Sequence, residues 1–407
     1  MHKFKVLVLN ADNDGVGYWR ILSPYSCFND PDIQVDIRLL MDSTLPLADE
    51  RFLSQYNIIV FNKAIPFSSD ELKNKYNEAL KKYNIKTVYD IDDYWVLTNA
   101  HPNYKMWKEQ NAQAFVEDQI READAITTTT KFLANKIKQF NPNVTIAPNS
   151  VNLKEQQWCS NKKPTEKVRF LWGGGITHLV DLRLLKTAFQ KLDKQILENA
   201  QMYLCGYDLR MNTPQGMKID DPNRSTWTFF ESIFTNNNKW IRNPLHGAWL
   251  RTAVDNGRDN YGYMEEFKNE FYQRRWTKPI MLYGTMYNEA DVVLTPLKNN
   301  NSFNEVKSQL KVVEAGAHHC PIICSNYGPY TIDDIEGKVD GKQKGFLVDE
   351  DDPDSSTKWY DIMKFYVNNP DKIKEHGENM FEYVRDNYEI SITNQKRAEL
   401  FKKLVNS

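Results

Sequence analysis

Residues 301–330 read NSFNEVKSQLKVVEAGAHHCPIICSNYGPY, and this stretch predicts more of the fold than any other part of the chain. A polar loop running to Lys307 precedes LKVVEAGA, whose apolar spacing is typical of a short helix with Ser308 at its N-cap. The apolar run PIICS then predicts a buried strand that ends at the turn marked by Gly328 and Pro329. A loop, a helix and a buried strand in this order indicate an α/β unit.

The first turn of this helix is a candidate phosphate site. Backbone N–H groups at a helix N-terminus attract anions, and Lys307 lies beside them in sequence. Glu314 follows Ser308 by about six residues, roughly 9 Å along a helix axis, so its carboxylate could bind a second polar group of the same ligand. A phosphate at one end and hydroxyls at the other describe a nucleoside diphosphate. A capped helix with a solvated glutamate is the open alternative.

Length and charge bound the class of protein. The chain has 407 residues, 41% of them apolar and 26% charged, with a formal net charge of −2. Its length suits two domains of about 200 residues each, and no apolar run approaches the ~20 residues of a membrane span. The near-neutral charge gives no general attraction to nucleic acid. Arg274, Arg275 and Lys278 beside Trp276 are a candidate basic patch, with a solvated face as the open alternative.

Cysteine usage and the N-terminal residues lead us to expect a cytoplasmic protein. The five cysteines form no CxxC pair and show no metal-ligand spacing with histidine. Reduced thiols and no structural metal are therefore expected. The segment MHKFKVLVLNAD has the pattern of a strand and lacks the longer apolar core of a signal peptide.

Strand and helix patterns alternate along two halves of the chain. Continuous apolar runs predict parallel strands buried on both faces. In the first half they lie at 5–10, 57–62, 87–92, 125–130 and 144–150. In the second half they lie at 168–174, 200–208, 290–297, 321–326 and 345–349. This alternation predicts the α/β class, with two Rossmann-like, doubly wound parallel sheets.

The predicted domain boundaries lie where the periodicity fails. Residues 1–152 are predicted to form an N-terminal domain, 153–166 a polar linker, 167–380 a C-terminal domain, and 381–407 a helical tail that could cross back to the N-terminal domain. Residues 209–280 have weak periodicity and are interpreted as an inserted loop or short helices. Two such domains should face a cleft at the carboxyl ends of their strands, where open α/β sheets bind ligands.

Two predicted strands of the first half end in candidate site residues. Gly15, Gly17 and Arg20 follow the first strand, but the third glycine and the acidic residue of a dinucleotide fingerprint are missing. Contact with an acceptor or with donor phosphates is therefore favoured over a nicotinamide cofactor. Asp92 and Asp93 lie where a base or a hydroxyl-binding carboxylate would be useful, although a helix cap or turn is the open alternative.

Three consecutive glycines follow the first strand of the second half. Gly173, Gly174 and Gly175 would let the backbone pass close to a ligand. Thr177 is predicted to cap the next helix, with His178 in its first turn facing the cleft. A structural histidine is the open alternative.

Taken together, these motifs resemble a GT-B glycosyltransferase of the kind grouped with the family 4 retaining enzymes. The matching pieces extend over nearly the whole chain: the glycine loop with Arg20, ADAITTTT, VTIAPNSV, WGGG-x-TH-x-x-D, ADVVLTPL, FNEVKSQLKVVEAGA with PIICSNYGPY, and GFLVD. The combination of D-x-DD with N-x-x-K-S-x-x-K-x-x-E is similar to transferases of phages and bacteria.

The resemblance implies a nucleotide-diphosphate sugar as co-substrate, with no cofactor and no metal. It implies that the C-terminal domain holds this donor and that the N-terminal domain holds the acceptor. The implied donor-binding residues are Gly173, Gly174, Gly175, His178, Lys307, Ser308, Lys311 and Glu314. The implied catalytic residues are Asp92, Asp93 and Lys307, and the implied acceptor or phosphate loop contains Gly15, Gly17 and Arg20.

The chain departs from the family pattern at one position. Glu314 matches the second carboxylate of the family's Glu, seven residues, Glu motif, which binds the donor ribose. Val306 stands where the first carboxylate is expected, and the adjacent Glu305 belongs to another face of the chain. Lys307 and Lys311 partly match the Arg/Lys pair that neutralises the diphosphate. The ribose end of the donor site is therefore better matched than the sugar end.

The expected activity is sugar transfer to an acceptor hydroxyl, with retention of configuration. The helix dipole, backbone N–H groups and Lys307 would stabilise the charge that grows on the leaving diphosphate. A surface polysaccharide or lipid-linked glycan is the first acceptor considered, and a hydroxymethylated DNA base is the alternative. A second alternative is a non-catalytic nucleotide-sugar-binding protein. A phage-encoded protein of this kind would work in the host cytoplasm.

Overall fold

The described part of the chain divides into two compact units. The structure, a computed structural model, describes residues 4–40, 45–63, 65, 67–99, 101, 103–213, 216–221, 224–235 and 270–407. The first unit comprises Met1–Lys154, Ser302–Val313 and Arg385–Ser407, and the second comprises Glu155–Asn301 and Glu314–Val384. Two late segments of the sequence, 302–313 and 385–407, therefore belong to the first unit. The domain boundaries inferred from the sequence stay predictions.

A six-stranded parallel sheet forms the centre of the first unit, in the order β2-β1-β3-β4-β5-β6. Its strands are β1 Phe4–Asn10, β2 Ile33–Leu39, β3 Ile58–Phe61, β4 Lys86–Ile91, β5 Ala125–Thr128 and β6 Val144–Ile146. Along β1, Val6 and Val8 pack into one core cluster while Leu7 and Leu9 pack into another. Because successive side chains point to opposite faces, the sheet is covered on both sides, as the continuous apolar runs predicted.

Helices cover both faces of this sheet. They are Gly15–Gly17, the π-helical turn Tyr18–Leu22, Ser23–Ser26, Glu50–Leu53, Asp70–Lys82, Tyr104–Glu109, Ala112–Glu122, Lys131–Ile137, Ser302–Glu305 and Ile390–Val405, with the start of Leu310–Ala317. The terminal helix Ile390–Val405 buries Leu400, Phe401 and Leu404 in the same cluster as Val6 and Val8. This late segment therefore completes the core of the first unit.

The second unit contains another six-stranded parallel sheet and a hairpin. Its strands are β7 Val168–Gly173, β8 Ala200–Tyr207, β9 Arg210–Thr213, β10 Gly216–Ile219, β11 Tyr272–Trp276, β12 Val292–Thr295, β13 Ile322–Ser325 and β14 Gly345–Val348. The sheet order is β11-β8-β7-β12-β13-β14, and β9 pairs antiparallel with β10. Two parallel sheets confirm the predicted α/β class with doubly wound halves.

The helical elements of the second unit are short before residue 330 and longer after it. They are Gln156–Trp158, Ile176–His178, Leu179–Leu182, Arg183–Leu185, Lys186–Lys191, Lys194–Asn199, Trp227–Thr235, Ile280–Glu289, Gly328–Thr331, Ser355–Asn368 and Pro370–Tyr388, with the end of Leu310–Ala317. Among the described residues, no helix combines the length and the apolar character that crossing a membrane requires.

The interpretation of residues 209–280 as an inserted loop or short helices is wrong at its start, where the hairpin of β9 and β10 lies, and at its end. Strand β11 pairs with β8 there, and Arg274 is 1% exposed with its Nε 2.5 Å from Glu231 Oε1. Arg275 pairs with Glu289 at 2.5 Å, and Lys278 donates to Thr285 Oγ1 at 2.8 Å. These arginines therefore form neither a basic patch nor a solvated face. Residues 236–269 of this region lie outside the described ranges.

Removing the carboxylate of Glu231 should destabilise the second unit strongly. Glu231→Gln leaves the buried Arg274 guanidinium without a counter-charge, which costs about 3–5 kcal/mol when one partner of a buried pair is lost. Glu71→Gln is the matched control, because the Glu71–Lys75 pair is exposed and such pairs contribute little. Chemical denaturation measures both losses, and equal losses would show that Arg274 is not held by a buried ion pair.

Candidate functional site

The glycine loop after β1 is held together by Asp12. Its Oδ1 accepts from the backbone N–H groups of Asp14 and Gly17 at 3.1 and 3.2 Å, and its Oδ2 lies 2.6 Å from Lys63 Nζ. A Cβ on Gly17 would lie 1.9 Å from the Asp12 carbonyl oxygen, and Gly15 has φ +36°. The loop itself therefore requires both glycines. Their contact with an acceptor or a phosphate stays a prediction.

Arg20 lies inside the first unit rather than on the surface of this loop. Its guanidinium forms two hydrogen bonds of 2.8 Å with the Asp90 carboxylate. Its Nη1 also donates to the Ala147 carbonyl at 2.8 Å and to Asn149 Oδ1 at 3.0 Å. Both side chains of the pair are fully buried. The predicted contact of Arg20 with acceptor or phosphate is not tested by this placement and stays a prediction.

Asp92 and Asp93 follow β4 directly, because that strand ends at Ile91. Asp92 is half-buried and Asp93 is exposed. Burial and the neighbouring charge of Asp93 raise the pKa of Asp92 well above its usual range, while Arg20 opposes the shift. A carboxyl group that keeps its proton to a higher pH than usual is suited to general acid–base catalysis or to donating a hydrogen bond.

His101 lies within electrostatic range of Asp93, although the sequence did not mark it as a site residue. Its ring centroid lies 5.1 Å from that of Phe303, and its Nδ1 accepts from the Asn103 backbone N–H at 3.2 Å. Burial and the charge of Lys307 lower the pKa of His101, and Asp93 raises it. Lys307 and Asp93 thus act on the same ring from distant parts of the sequence. No local motif marks His101, so only the fold could reveal it.

The helix carrying Glu314 has the predicted residues, LKVVEAGA, but its predicted N-cap is wrong by one residue. The helix is Leu310–Ala317, and the Gln309 carbonyl accepts its first backbone bonds, at 2.9 and 3.3 Å. Gln309 is therefore the N-cap. Ser308 therefore lies one residue before the N-cap, and its Oγ accepts from Asn149 Nδ2 at 3.0 Å. The predicted polar loop before Lys307 also contains a helical turn, Ser302–Glu305.

The missing carboxylate at position 306 has a structural explanation. Val306 is fully buried in the core cluster of the first unit, and its carbonyl accepts from Thr130 Oγ1 at 3.3 Å. Glu305 pairs with Lys136 at 3.5 Å. A carboxylate at 306 would be buried without a partner, at a high cost. Lys307 is half-buried, with its Nζ 5.3 Å from the Phe303 ring centroid.

In the second unit, Gly173 is the last residue of β7, which pairs with β8, and Gly174 and Gly175 follow it. Gly174 N–H donates to the Cys205 carbonyl at 3.2 Å, and a Cβ on Gly206, whose φ is +100°, would lie 2.3 Å from the Gly174 oxygen. The backbones therefore approach closely at Gly174 for reasons of packing. Donor contacts of Gly173, Gly174 and Gly175 stay a prediction.

His178 is oriented by a buried carboxylate. The expectation that Thr177 caps the next helix is wrong, because Ile176–His178 is a 3₁₀ turn and His178 occupies the N-cap of Leu179–Leu182. His178 Nδ1 lies 2.9 Å from Asp181 Oδ2, and Asp181 Oδ1 accepts from the Lys298 backbone N–H at 2.9 Å. Asp181 is 5% exposed. It therefore ties the segment after β7 to the segment after β12.

Glu314 is 1% exposed and bonded to a tyrosine. Tyr287 OH donates to Glu314 Oε2 at 2.5 Å, and the Tyr287 ring stacks on His318 with a centroid distance of 5.7 Å. Burial lowers the pKa of His318 to about 4, so this ring is neutral and its Nε2 donates to the Gln157 carbonyl at 2.9 Å. Glu314 thus has a structural role in the second unit. Its contact with the donor ribose stays a prediction. Lys311 is half-buried in the first turn of the same helix.

The arrangement of both sheets identifies the fold. No family model and no curated protein sequence matches the chain. A solved structure of Anabaena HepE in complex with UDP-glucose is similar over 98% of this chain and 100% of that chain, with TM-score 0.56 and 12% identity. An alpha-glucosyltransferase in complex with UDP-glucose and DNA containing an abasic site is similar over 98% and 99%, with TM-score 0.58 and 13% identity. The chain has the GT-B glycosyltransferase fold, as predicted from its sequence.

The raised pKa of Asp92 predicts a measurable pH dependence. Because the native state holds this proton more tightly than the unfolded state, the stability that Asp92 contributes should fall as pH rises from about 3.8, its ordinary value, through its raised native pKa. Asp93→Asn should lower the Asp92 midpoint, since it removes the neighbouring charge. Carboxyl ¹³C shifts of labelled aspartate measure this midpoint.

Asp118→Asn is the control for that measurement, because Asp118 lies on the exposed face of helix Ala112–Glu122 and pairs with Arg121. It should leave the Asp92 midpoint unchanged. An Asp92 midpoint near 3.8 in the unsubstituted protein, or one that Asp93→Asn does not move, would contradict the assigned cause.

Proposed function

We propose that the protein is a glycosyltransferase that moves a sugar from a nucleotide-diphosphate donor to an acceptor hydroxyl. One observation carries this proposal: the fold likeness extends over nearly the full length of proteins solved with UDP or UDP-glucose. A UDP-sugar is therefore the first donor class to examine. The glycine loops and the Lys307–Ser308 pair at the start of a helix are consistent with a ligand that carries two phosphates.

The proposed reaction exchanges one bond at the anomeric carbon of the sugar. The bond from this carbon to the diphosphate oxygen breaks, and its electron pair leaves with the diphosphate. The acceptor oxygen forms the new bond, and its proton passes to a leaving phosphate oxygen on the same face, so that configuration is retained. Lys307, Ser308 and the first-turn amides of Leu310–Ala317 would stabilise the growing negative charge.

Asp92 and Asp93 are proposed to act on the acceptor side. The raised pKa of Asp92 makes its carboxyl group a possible hydrogen-bond donor, and Asp93 beside it is an acceptor when ionised. His101 lies under the influence of both Asp93 and Lys307. We therefore assign this cluster to binding and orienting the acceptor hydroxyl rather than to forming a covalent intermediate.

The first acceptor class is a glycan, either a surface polysaccharide or a lipid-linked saccharide. A DNA base that carries a hydroxymethyl group is the second candidate. It is favoured by the likeness to an alpha-glucosyltransferase solved with UDP and DNA that contains a HMU base, at TM-score 0.57 and 13% identity over 99% of this chain. The formal net charge of −2 gives no general attraction to DNA.

Binding of UDP should depend on Lys307. Lys307→Ala removes a charged hydrogen-bond donor, and we expect the Kd for UDP to rise roughly 10- to 100-fold. Isothermal titration calorimetry measures this change. Lys75→Ala is the matched control, because Lys75 is an exposed lysine paired only along its own helix, and it should bind UDP like the unsubstituted protein. The donor proposal fails if no nucleoside diphosphate binds or raises the melting temperature.

The acceptor classes differ in their response to salt. With a glycan acceptor, we expect transfer from a UDP-sugar to change little between 50 and 200 mM salt. A DNA acceptor contacted at six or more phosphates should lose roughly 1,000-fold or more in affinity over the same range. Transfer to both acceptors is measured side by side, and NMR of the product gives its anomeric configuration. Absence of both transfer and slow donor hydrolysis for every donor would favour the non-catalytic alternative.

A further inference from the structure

A continuous chain of hydrogen bonds connects the buried interior of the first unit to the half-buried Ser308. Asp90 holds Arg20 through two bonds of 2.8 Å. Arg20 Nη1 donates to Asn149 Oδ1 at 3.0 Å, and Asn149 Nδ2 donates to Ser308 Oγ at 3.0 Å. Arg20 is fully buried and Asn149 is 3% exposed. The chain ends beside Lys307, the residue proposed to bind the diphosphate.

The direction of this chain is fixed by chemistry. A guanidinium has only donors, so the oxygen of Asn149 must face Arg20 and its NH₂ group must face Ser308. Ser308 Oγ therefore accepts, and its own hydrogen must point to a different acceptor. Within the described ranges, the Asn149 contact is the only side-chain hydrogen bond that Ser308 makes. The hydroxyl is thus set to donate.

We propose that Asn149 is a positioning residue that makes Ser308 a hydrogen-bond donor to the diphosphate of the sugar donor. This inference rests on the function proposed above. A phosphate oxygen is acceptor-only, so it matches a hydroxyl whose hydrogen points away from Asn149. Because Arg20 and Asn149 are held in place before the ligand arrives, aligning this hydroxyl costs little on binding. Arg20, predicted to contact an acceptor or the donor phosphates, would in this arrangement act on the diphosphate through Asn149.

Two substitutions of Ser308 test whether its hydroxyl donates a hydrogen bond to the ligand. Ser308→Ala removes the hydroxyl and should raise the Kd for UDP about 10-fold or more, the usual effect of losing a hydrogen bond to a charged group. Ser308→Thr keeps the hydroxyl and should bind UDP within a few-fold of the unsubstituted protein. If Ser308→Ala binds UDP as tightly as the unsubstituted protein, Ser308 donates nothing to the ligand and the inference is overturned.

A double-mutant cycle tests Asn149. Asn149→Asp is nearly isosteric and still accepts from Arg20, but a carboxylate only accepts, so Ser308 must turn its hydrogen toward position 149. We expect Asn149→Asp to weaken UDP binding at least 10-fold, and to weaken it much less when Ser308 is already alanine. Thermal melts confirm that each variant is folded. If Asn149→Asp does not fold, the Ser308 pair decides the inference alone.

The outcomes separate this inference from the proposed function. If the loss caused by Asn149→Asp is the same with serine or alanine at 308, the effect is charge repulsion and the positioning role fails, while UDP binding by the unsubstituted protein still supports the function. If the unsubstituted protein binds no nucleoside diphosphate, the proposed function fails first and this inference fails with it.

Discussion

The buried ion pair between Arg20 and Asp90 is the constraint on which the first unit depends. Removing two charges from water costs several kcal/mol for each ion, and this cost is offset only when the geometry is good and every donor is satisfied. Here two bonds of 2.8 Å join the pair, and Thr127 Oγ1 donates to the same carboxylate at 2.7 Å. These bonds connect the turn after the glycine loop to β4 and β5, near the carboxyl ends of both strands.

The second unit has its own buried ion pair, between Arg274 and Glu231, and it also uses carboxylates to hold its loops. At the carboxyl ends of the strands, carboxylates stabilise its loops by accepting hydrogen bonds from backbone N–H groups. Asp181 accepts from Lys298 N–H at 2.9 Å, and Glu350 accepts from Asn299 N–H at 2.8 Å. Hydrogen bonds from a backbone amide to a carboxylate are short and strong, so loops that could bind a ligand are ordered without one. In both units, carboxylates hold the loop backbone in place: Asp12 in the first unit, and Asp181 and Glu350 in the second.

Sequence patterns predicted those elements of the fold that are marked by a continuous run of residues. Continuous apolar runs marked most strands, because strands buried on both faces of a parallel sheet need them. Strand β11 was not predicted, because its two arginines interrupt the apolar run. Their charges are neutralised by Glu231 and Glu289, which lie outside this strand. His101 and Tyr287 were not predicted either, because their contacts are with residues distant in the sequence. Their importance lies in contacts with Phe303 and Glu314, which no spacing rule connects to them.

Val306 shows how a departure from a family pattern can be required by packing. Its side chain completes a core that contains residues of β1 and β3, so a charged residue could not be kept there without a partner. The adjacent Ser308 is tied to the same unit through Asn149. The interior of the first unit therefore shapes the segment 302–313 at three places, where Val306, Ser308 and Gln309 form hydrogen bonds with Thr130, Asn149 and Tyr388. If this segment binds the donor as proposed, a hydroxyl oriented by Asn149 suits an oxygen that only accepts hydrogen bonds, such as a phosphate oxygen, better than a sugar hydroxyl that must also donate.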